Sequence, residues 1–441
     1  MATHRVSRRR FLQTVGAAAA AGPFLRIPRL RAAGMVRHAS IGAAGMALSD
    51  MNAFSRLPNF ELIAVADVDL SRTAEVRERF PQARIYQDWR ELLAREAANI
   101  DSVNVSTPDH MHCLIALEAM KLDKAVYVQK PLCGTLKETR RLTEVARQRG
   151  LVTQMGIQTS STAAPRRGEA MVRSGIIGKI REVHTFSNKS WGDDEPLPTT
   201  GDPVPASLDW DGWLGVSTPR PYVKDEYHPG QWRRRVDFGT GTLGDMGCHI
   251  YAPPYRALAL TSPAFVTSYG PAPTAESWAV KARVKLTYPG TPFTAADTID
   301  VWWYDGGEMP PASVLDPIGD RLPRQGSLYV GTEGVIVIPH GNAEPFVLPD
   351  ALAARMAPID LPDRNHWAEF VDAVLARTPK CSADFRFAGP LTESVLLGNA
   401  AAYFPEERLA FDATALAFPG RPEANRHLDR TYREGWELPA L

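Results

Sequence analysis

Two stretches, Arg37-His38-Ala39-Ser40-Ile41-Gly42-Ala43-Ala44-Gly45-Met46-Ala47 and Glu61-Leu62-Ile63-Ala64-Val65-Ala66-Asp67, decide the fold. A short apolar run enters a glycine-bearing turn, a helical stretch follows to Arg56, and a second apolar run ends on an acid. This is the strand–turn–helix–strand layout in which a phosphate sits on a helix N-terminus. The fingerprint G-x-G-x-x-G is worn, with Gly42 in the first place, Ala44 in the second and Ala47 in the third. Ala44 puts a methyl where backbone must approach a pyrophosphate most closely, so the glycines alone are a weak signal. Asp67 strengthens it. It lies 20 residues beyond Ala47, at a strand end where a carboxylate accepts from ribose hydroxyls and repels a 2′-phosphate. That favours NAD over NADP, with Gly42, Ala44, Gly45, Met46 and Asp67 as its binding face. The other reading makes Asp67 the N-cap of a helix opened by Leu70-Ser71.

The alternation continues with strands expected over 100–105, 125–128 and 153–156 and helices over 110–122 and 136–149. A doubly wound parallel sheet results, and its ligands gather at the carboxyl ends of strands. Thr107 and Lys130 fall at such ends, beside Asp67. After residue 156 come strand-like runs at 182–187, 264–269, 279–287, 298–303, 326–331 and 334–339. Residues 188–240, rich in Pro, Trp and Gly, read as a lid or substrate-lining insertion.

Composition agrees with an enzyme of this kind. The 441 residues suit two or three domains, and 44% hydrophobic with 23% charged residues is globular. Fifty basic against fifty acidic residues remove the electrostatic reason to expect nucleic acid as a partner. The cysteines Cys113, Cys133, Cys248 and Cys381 are scattered singly, so they read as buried free thiols.

The runs Thr107-Pro108-Asp109-His110-Met111-His112 and Val126-Tyr127-Val128-Gln129-Lys130-Pro131 resemble the Gfo/Idh/MocA oxidoreductase family, named from glucose-fructose oxidoreductase and inositol dehydrogenase. Its EKP triplet stands here as Gln129-Lys130-Pro131. The likeness continues through Ser174-Gly175-Ile176-Ile177-Gly178, Leu208-Asp209-Trp210-Asp211-Gly212-Trp213, Gly239-Thr240-Gly241-Thr242-Leu243-Gly244-Asp245-Met246-Gly247-Cys248-His249 and Tyr432-Arg433-Glu434-Gly435-Trp436. It implies an α/β protein: an N-terminal Rossmann domain (35–156) and a C-terminal α/β domain (157–404) with an open, mostly antiparallel sheet. A tail (405–441) wraps back over the body. It also implies a homodimer or homotetramer joined through that second sheet.

The resemblance places Lys130 beside the nicotinamide as the group polarising the substrate oxygen. It makes His249 the acid/base and Asp245, one helical turn away, its orienting or sugar-binding partner. Read alone, a DxxxH pair is a structural contact. Thr107, Pro108, His112, Gln129 and Gln158 are implied to border the cofactor, and Trp232-Arg233 to line the cofactor's substrate side. For His112 the alternative is helix capping, for Gln158 loop hydrogen bonding, and for Arg233–Arg235 a solvated turn. Tyr227, His228, Trp191, Trp210 and Trp213 suit sugar stacking or plain packing. No ligand spacing demands a metal, although His184 could converge with Asp245 and His249. Gln129, Ala44, Ala47 and Ala252 depart from the family pattern.

The N-terminus carries Arg5, Arg8, Arg9 and Arg10, then a small-residue run from Gly16 to Gly22. Ser7-Arg8-Arg9-Arg10-Phe11-Leu12-Gln13 resembles a twin-arginine export signal, so residues 1–34 are expected to engage that machinery and the folded protein to reach the periplasm. The apolar stretch, about 14 residues, is short of the ~20 that span a membrane. Three functions compete: an NAD-dependent oxidoreductase acting on a carbohydrate or polyol; a redox-neutral glycosidase that oxidises, eliminates, adds water and returns the hydride; and a non-catalytic sugar- or cofactor-binding protein.

Overall fold

A computed structural model describes residues 34–440, so the expected export segment 1–34 lies outside them except for Gly34. The first sheet has six strands: β1 (Val36–Ile41), β2 (Phe60–Ala66), β3 (Arg84–Tyr86), β4 (Ser102–Val105), β5 (Ala125–Val128) and β6 (Thr153–Met155). Their order is β3-β2-β1-β4-β5-β6 and every pairing is parallel. β4 and β5 are buried at every position, as sheets covered on both faces require. The strand order reverses between β1 and β4, opening a crevice at their carboxyl ends. β3 was not read from sequence; its three residues are too few to show a period.

The second sheet has eight strands: β7 (Ile180–Ser187), β8 (Phe265–Ser268), β9 (Ala282–Pro289), β10 (Thr298–Asp305), β11 (Gln325–Gly331), β12 (Val335–Pro339), β13 (Phe346–Leu348) and β14 (Leu409–Ala410). Their order is β13-β12-β11-β7-β10-β9-β8-β14, with only β7 and β10 parallel. The inner face carries Ile299, Val301 and Trp303 of β10 against the helix Gly241–Ala257. Part of the outer face is covered by the chain itself: Val314 and Ile318 pack on Phe186, Tyr304, Leu328 and Val337. The face is therefore less open than an uncovered sheet.

Two helices near the C-terminus return to the first sheet. His366–Ala376 packs on the helix Met46–Phe54 and on β1, and Phe385–Ala401 packs on the helix Leu136–Arg149. Arg140 and Glu393 join the latter pair with a two-point contact, Nε to Oε1 at 2.7 Å and Nη2 to Oε2 at 2.8 Å. From the tail, β14 extends the second sheet, Ala413 accepts from Arg140, and Tyr432 Oη donates to Glu138 at 2.9 Å.

Burial pushes the Glu393 carboxyl upward and Arg140 opposes it. Arg140→Ala strands that carboxylate between helices, so stability is expected to fall by about 3 kcal/mol. Chemical denaturation checks this; an unchanged midpoint would mean that the pair contributes no more than a surface contact.

Candidate functional site

A cleft of about 1220 Å³, its open mouth included, runs across the carboxyl ends of β1, β2, β4 and β5. Gly42, Asp67, Thr107, Pro108, Gln129 and Lys130 line it. The turn after β1 needs glycine at two places. Gly42 has φ 109°, and a Cβ there would lie 2.7 Å from the Ser106 carbonyl oxygen. The second left-handed position is Gly45 (φ 59°), one residue after Ala44, so the worn fingerprint has moved its glycine by one. Ala44 itself lines the cleft, and Ala47 is fully buried beneath the turn. Gly45 caps the nine-residue helix Met46–Phe54 with no side-chain hydrogen bond. The first-turn amides beside the cleft are thus left for an anion.

Asp67 faces this turn. Its Oδ2 accepts from Ala43 N–H at 2.9 Å and its Oδ1 from Asp69 N–H at 3.0 Å. Burial raises its carboxyl against those two amides. The capping alternative falls to its neighbour: Asp69 Oδ1 accepts from Ser71 N and Oγ, making Asp69 the N-cap. Asp69 Oδ2 also contacts His228 Nε2 at 3.0 Å. A carboxylate pinned toward the cleft, uncapped helix amides and a glycine pressed against a neighbouring strand together fit a dinucleotide.

The segment 188–240 is a strap over the cleft. It docks on the end of β2 through Leu70 N–H to Ser207 O at 2.9 Å and Asp209 N–H to Val68 O at 2.8 Å. Gly212, Trp213, His228, Pro229, Trp232 and Arg233 then line the cleft from this side. Most of the strap's aromatics pack together: Trp210 and Trp213 stack at 4.7 Å, with Tyr227 and Phe238 against them.

The inner end of the cleft is an ionic cluster. Lys130 Nζ donates to Asp245 Oδ1 at 2.6 Å and to the Asp245 carbonyl at 2.7 Å. Asp245 also receives Lys189 Nζ at 3.1 Å, Trp191 Nε1 at 2.9 Å and, more loosely, Arg233 Nε at 3.4 Å. Burial opposes ionisation of Asp245, but Lys130, Arg233 and Lys189 outweigh it and hold the carboxyl far below the usual range. Lys189 was missed in the sequence because an isolated lysine in an irregular segment carries no pattern. The helix does begin in the glycine-rich segment, at Gly241, so Asp245 and His249 are one turn apart.

Among the described residues Asp245 spends its oxygens on these cations and Trp191 rather than on the imidazole. His249 does not line the cleft; it is half-buried in a smaller cavity with Ser160, Ser327 and His340, its ring 5.3 Å from that of His340. Its Nδ1 has no protein partner among the described residues. Burial, then Lys130 and His340, hold the ring well below the ordinary histidine range and thus neutral.

Other expected cofactor neighbours do different work. His112 is buried, with Nδ1 2.8 Å from the Pro131 carbonyl and Nε2 2.9 Å from the Thr107 carbonyl, tying two strand-end loops together. Gln158 lies behind the cleft, 3.5 Å from Tyr127 Oη. Gln129 lines the cleft but gives its Nε2 to the buried Asp50 at 2.8 Å. His184 bonds Tyr304 Oη on β10 instead of joining Asp245 and His249.

Two family models match the chain, described as "Oxidoreductase family, NAD-binding Rossmann fold" over residues 36–157 and "Oxidoreductase family, C-terminal alpha/beta domain" over residues 170–291. Levoglucosan dehydrogenase of Pseudarthrobacter phenanthrenivorans is 25% identical over 194 residues, 44% of this chain and 41% of that protein. A glycosyl hydrolase family 109 protein of Shewanella putrefaciens is 29% identical over 159 residues, 33% of each. The matches thus span well under half the length of these curated relatives. The crystal structure of an inositol dehydrogenase homolog from Azotobacter vinelandii, complexed with NAD+, superposes with a TM-score of 0.59 at 19% identity, covering 86% of this chain and 98% of that one. The cleft, the two sheets and both family models agree, and the chain belongs to the Gfo/Idh/MocA oxidoreductase family, with an NAD-binding Rossmann fold over residues 36–157.

Proposed function

We propose that the protein is an exported NAD-dependent oxidoreductase that oxidises a carbinol of a carbohydrate or polyol. The observation that carries this reading is Lys130, an ammonium at a strand end in the cleft with two of its three N–H groups committed to Asp245. The third is free for a substrate oxygen. Gly42, Ala44, Gly45, Met46 and Asp67 would hold the dinucleotide's phosphates and ribose, with Thr107, Pro108 and Gln129 along its length. When bound, the nicotinamide supplies the hydride acceptor.

The chain's own groups do the remaining work. Lys130 stabilises negative charge developing on the carbinol oxygen, and Asp245 keeps that ammonium aimed. His249, kept neutral, is free to accept the hydroxyl proton. The strap 188–240 supports a slowly released cofactor, as suits a protein exported after folding, and the twin-arginine-like Ser7–Gln13 run supports the periplasm as its destination. The second sheet is its proposed oligomer interface. The glycosidase reading is kept because 33% of the chain aligns with a family 109 glycosyl hydrolase. Turnover without net absorbance change at the reduced-nicotinamide band would select it over net oxidation.

Native mass spectrometry of the purified protein is expected to show NAD(H), and titration to show NAD binding at least about tenfold tighter than NADP, from the charge of Asp67. Tighter NADP binding would remove Asp67 from cofactor selection. Lys130→Met is expected to lower turnover ~10²–10³-fold, and His249→Ala ~10²–10⁴-fold, both with near-normal melting temperature. Because the His249 pKa is lowered, its base form persists as pH falls, and the acid limb of kcat/KM is expected below pH ~6.5. A stable His249→Ala protein at normal turnover would strike it from the mechanism. Light scattering at micromolar concentration is expected to give a dimer or tetramer; a monomer refutes the interface.

A further inference from the structure

The inner end of the cleft holds more positive charge than its carboxylate can neutralise. Lys130, Lys189 and Arg233 all converge on Asp245, whose side chain is only 7% exposed. None of the three has a second carboxylate partner among the described residues. Elsewhere in the strap the arginines have carboxylates enough. Arg234 and Arg235 share Asp193 and Glu226, two cations on two anions, and Arg220 has both Asp237 and Glu276 to itself. Three cations thus meet at one carboxylate, and two of them, Lys130 and Arg233, line the cleft with it. Asp109 is the other acid nearby. It is buried and takes a hydrogen bond from the Thr240 hydroxyl at 2.6 Å; burial raises its carboxyl, and the charges of Arg233 and Lys130 oppose that shift.

The donors left over have a definite geometry. Arg233 lies over the Trp232 ring at 4.3 Å and near the Trp191 ring at 5.5 Å, with Nε on Asp245 and Nη1 toward the Gly230 carbonyl at 3.3 Å, leaving Nη2 unspent. Lys189 is 42% exposed and commits one N–H to Asp245. A planar guanidinium edge, a free ammonium and two indole rings form one surface, which offers charge-assisted donors beside apolar faces suited to a sugar ring. The dinucleotide's phosphates do not explain this surplus. Their helix terminus follows β1, whereas this cluster stands at the end of β5 and on the segment after β7.

We propose that the substrate is a carboxylated sugar, a uronic acid or its glycoside, whose carboxylate is received by Lys189 and Arg233 while Lys130 faces the carbinol that reacts. This rests on the reading of the cleft as that of a sugar-oxidising NAD enzyme and narrows it. The carboxylate takes no part in the bond changes; it orients the ring and selects the substrate.

The test is calorimetric titration of the full folded chain, loaded with NAD, against matched pairs: glucuronate with glucose, galacturonate with galactose, and their methyl glycosides. Glucose 6-phosphate serves as the anionic control. At least one uronate is expected to bind about 10- to 100-fold tighter than its neutral partner, tighter than the sugar phosphate, and progressively less so with added salt. Lys189→Met, compared at matched NAD content, is expected to erase most of that preference. A neutral hexose binding as well as its uronate, a sugar phosphate binding best, or no binding by any uronate overturns the proposal and leaves the oxidoreductase reading standing. A protein that takes up no NAD at all removes that reading, and this proposal with it.

Discussion

The ion pair between Lys130 and Asp245 is the constraint on which the site depends. One partner ends a strand of the parallel sheet; the other stands on the helix that supports the second sheet. Both side chains are mostly shielded from water, 13% and 7% exposed, so each would be costly to bury alone. The ammonium meets the carboxylate and the carbonyl of the same residue and is thereby held in one direction at the strand end. Asp245 thus contacts Lys130 rather than the imidazole a turn away.

The strap completes the site by a second division of labour among carboxylates. Asp67 and Asp69 are two residues apart, yet one faces the cleft while the other caps a short helix and reaches His228 on the strap. A continuing strand would put residues two apart on one face; β2 ends at Ala66, and the turn after it breaks that alternation and lets backbone amides take hold of Asp67. Main-chain hydrogen bonds at Leu70 and Asp209 also anchor the strap, and these do not depend on side-chain identity.

Much of this was legible in the sequence because it has period or position. The strand 125–128 and the helix 136–149 fall where the strand–helix alternation puts them. Asp67 and Lys130 were found because strand ends are where ligands gather in parallel sheets. What escaped has no local signal. β3, β13 and β14 are two or three residues long and exist through their neighbours. Lys189 matters only because folding brings it to Asp245, 56 residues away. Spacing on a helix also misled: Asp245 and His249 share a turn, but three cations claim the carboxylate first.

Gln129 shows how a departure from a family pattern acquires a physical cause. The resemblance places glutamate before the lysine, and its loss removes a negative charge beside the cleft. The structure contains a carboxylate in that neighbourhood, on a different element. Asp50, fully buried on the helix Met46–Phe54, accepts from Gln129 Nε2 at 2.8 Å, Trp367 Nε1 at 3.0 Å and Ser106 Oγ at 3.2 Å, with Tyr127 Oη at 3.4 Å. Burial lifts its carboxyl to about 6 against those donors. Because that value is raised, Asp50 favours the folded state most below pH ~4, and its contribution declines as pH rises toward 6. A glutamate at 129 would set a second buried carboxylate against it, and one of the two would have to take up a proton. An amide supplies the donor instead. Gly156 makes room for it, since a Cβ there would sit 2.6 Å from Gln129 Nε2. Asp50, Gln129 and Gly156 are therefore one solution to one problem: a carboxylate moved from the strand end to the helix behind it, with a neutral side chain left to face the cleft.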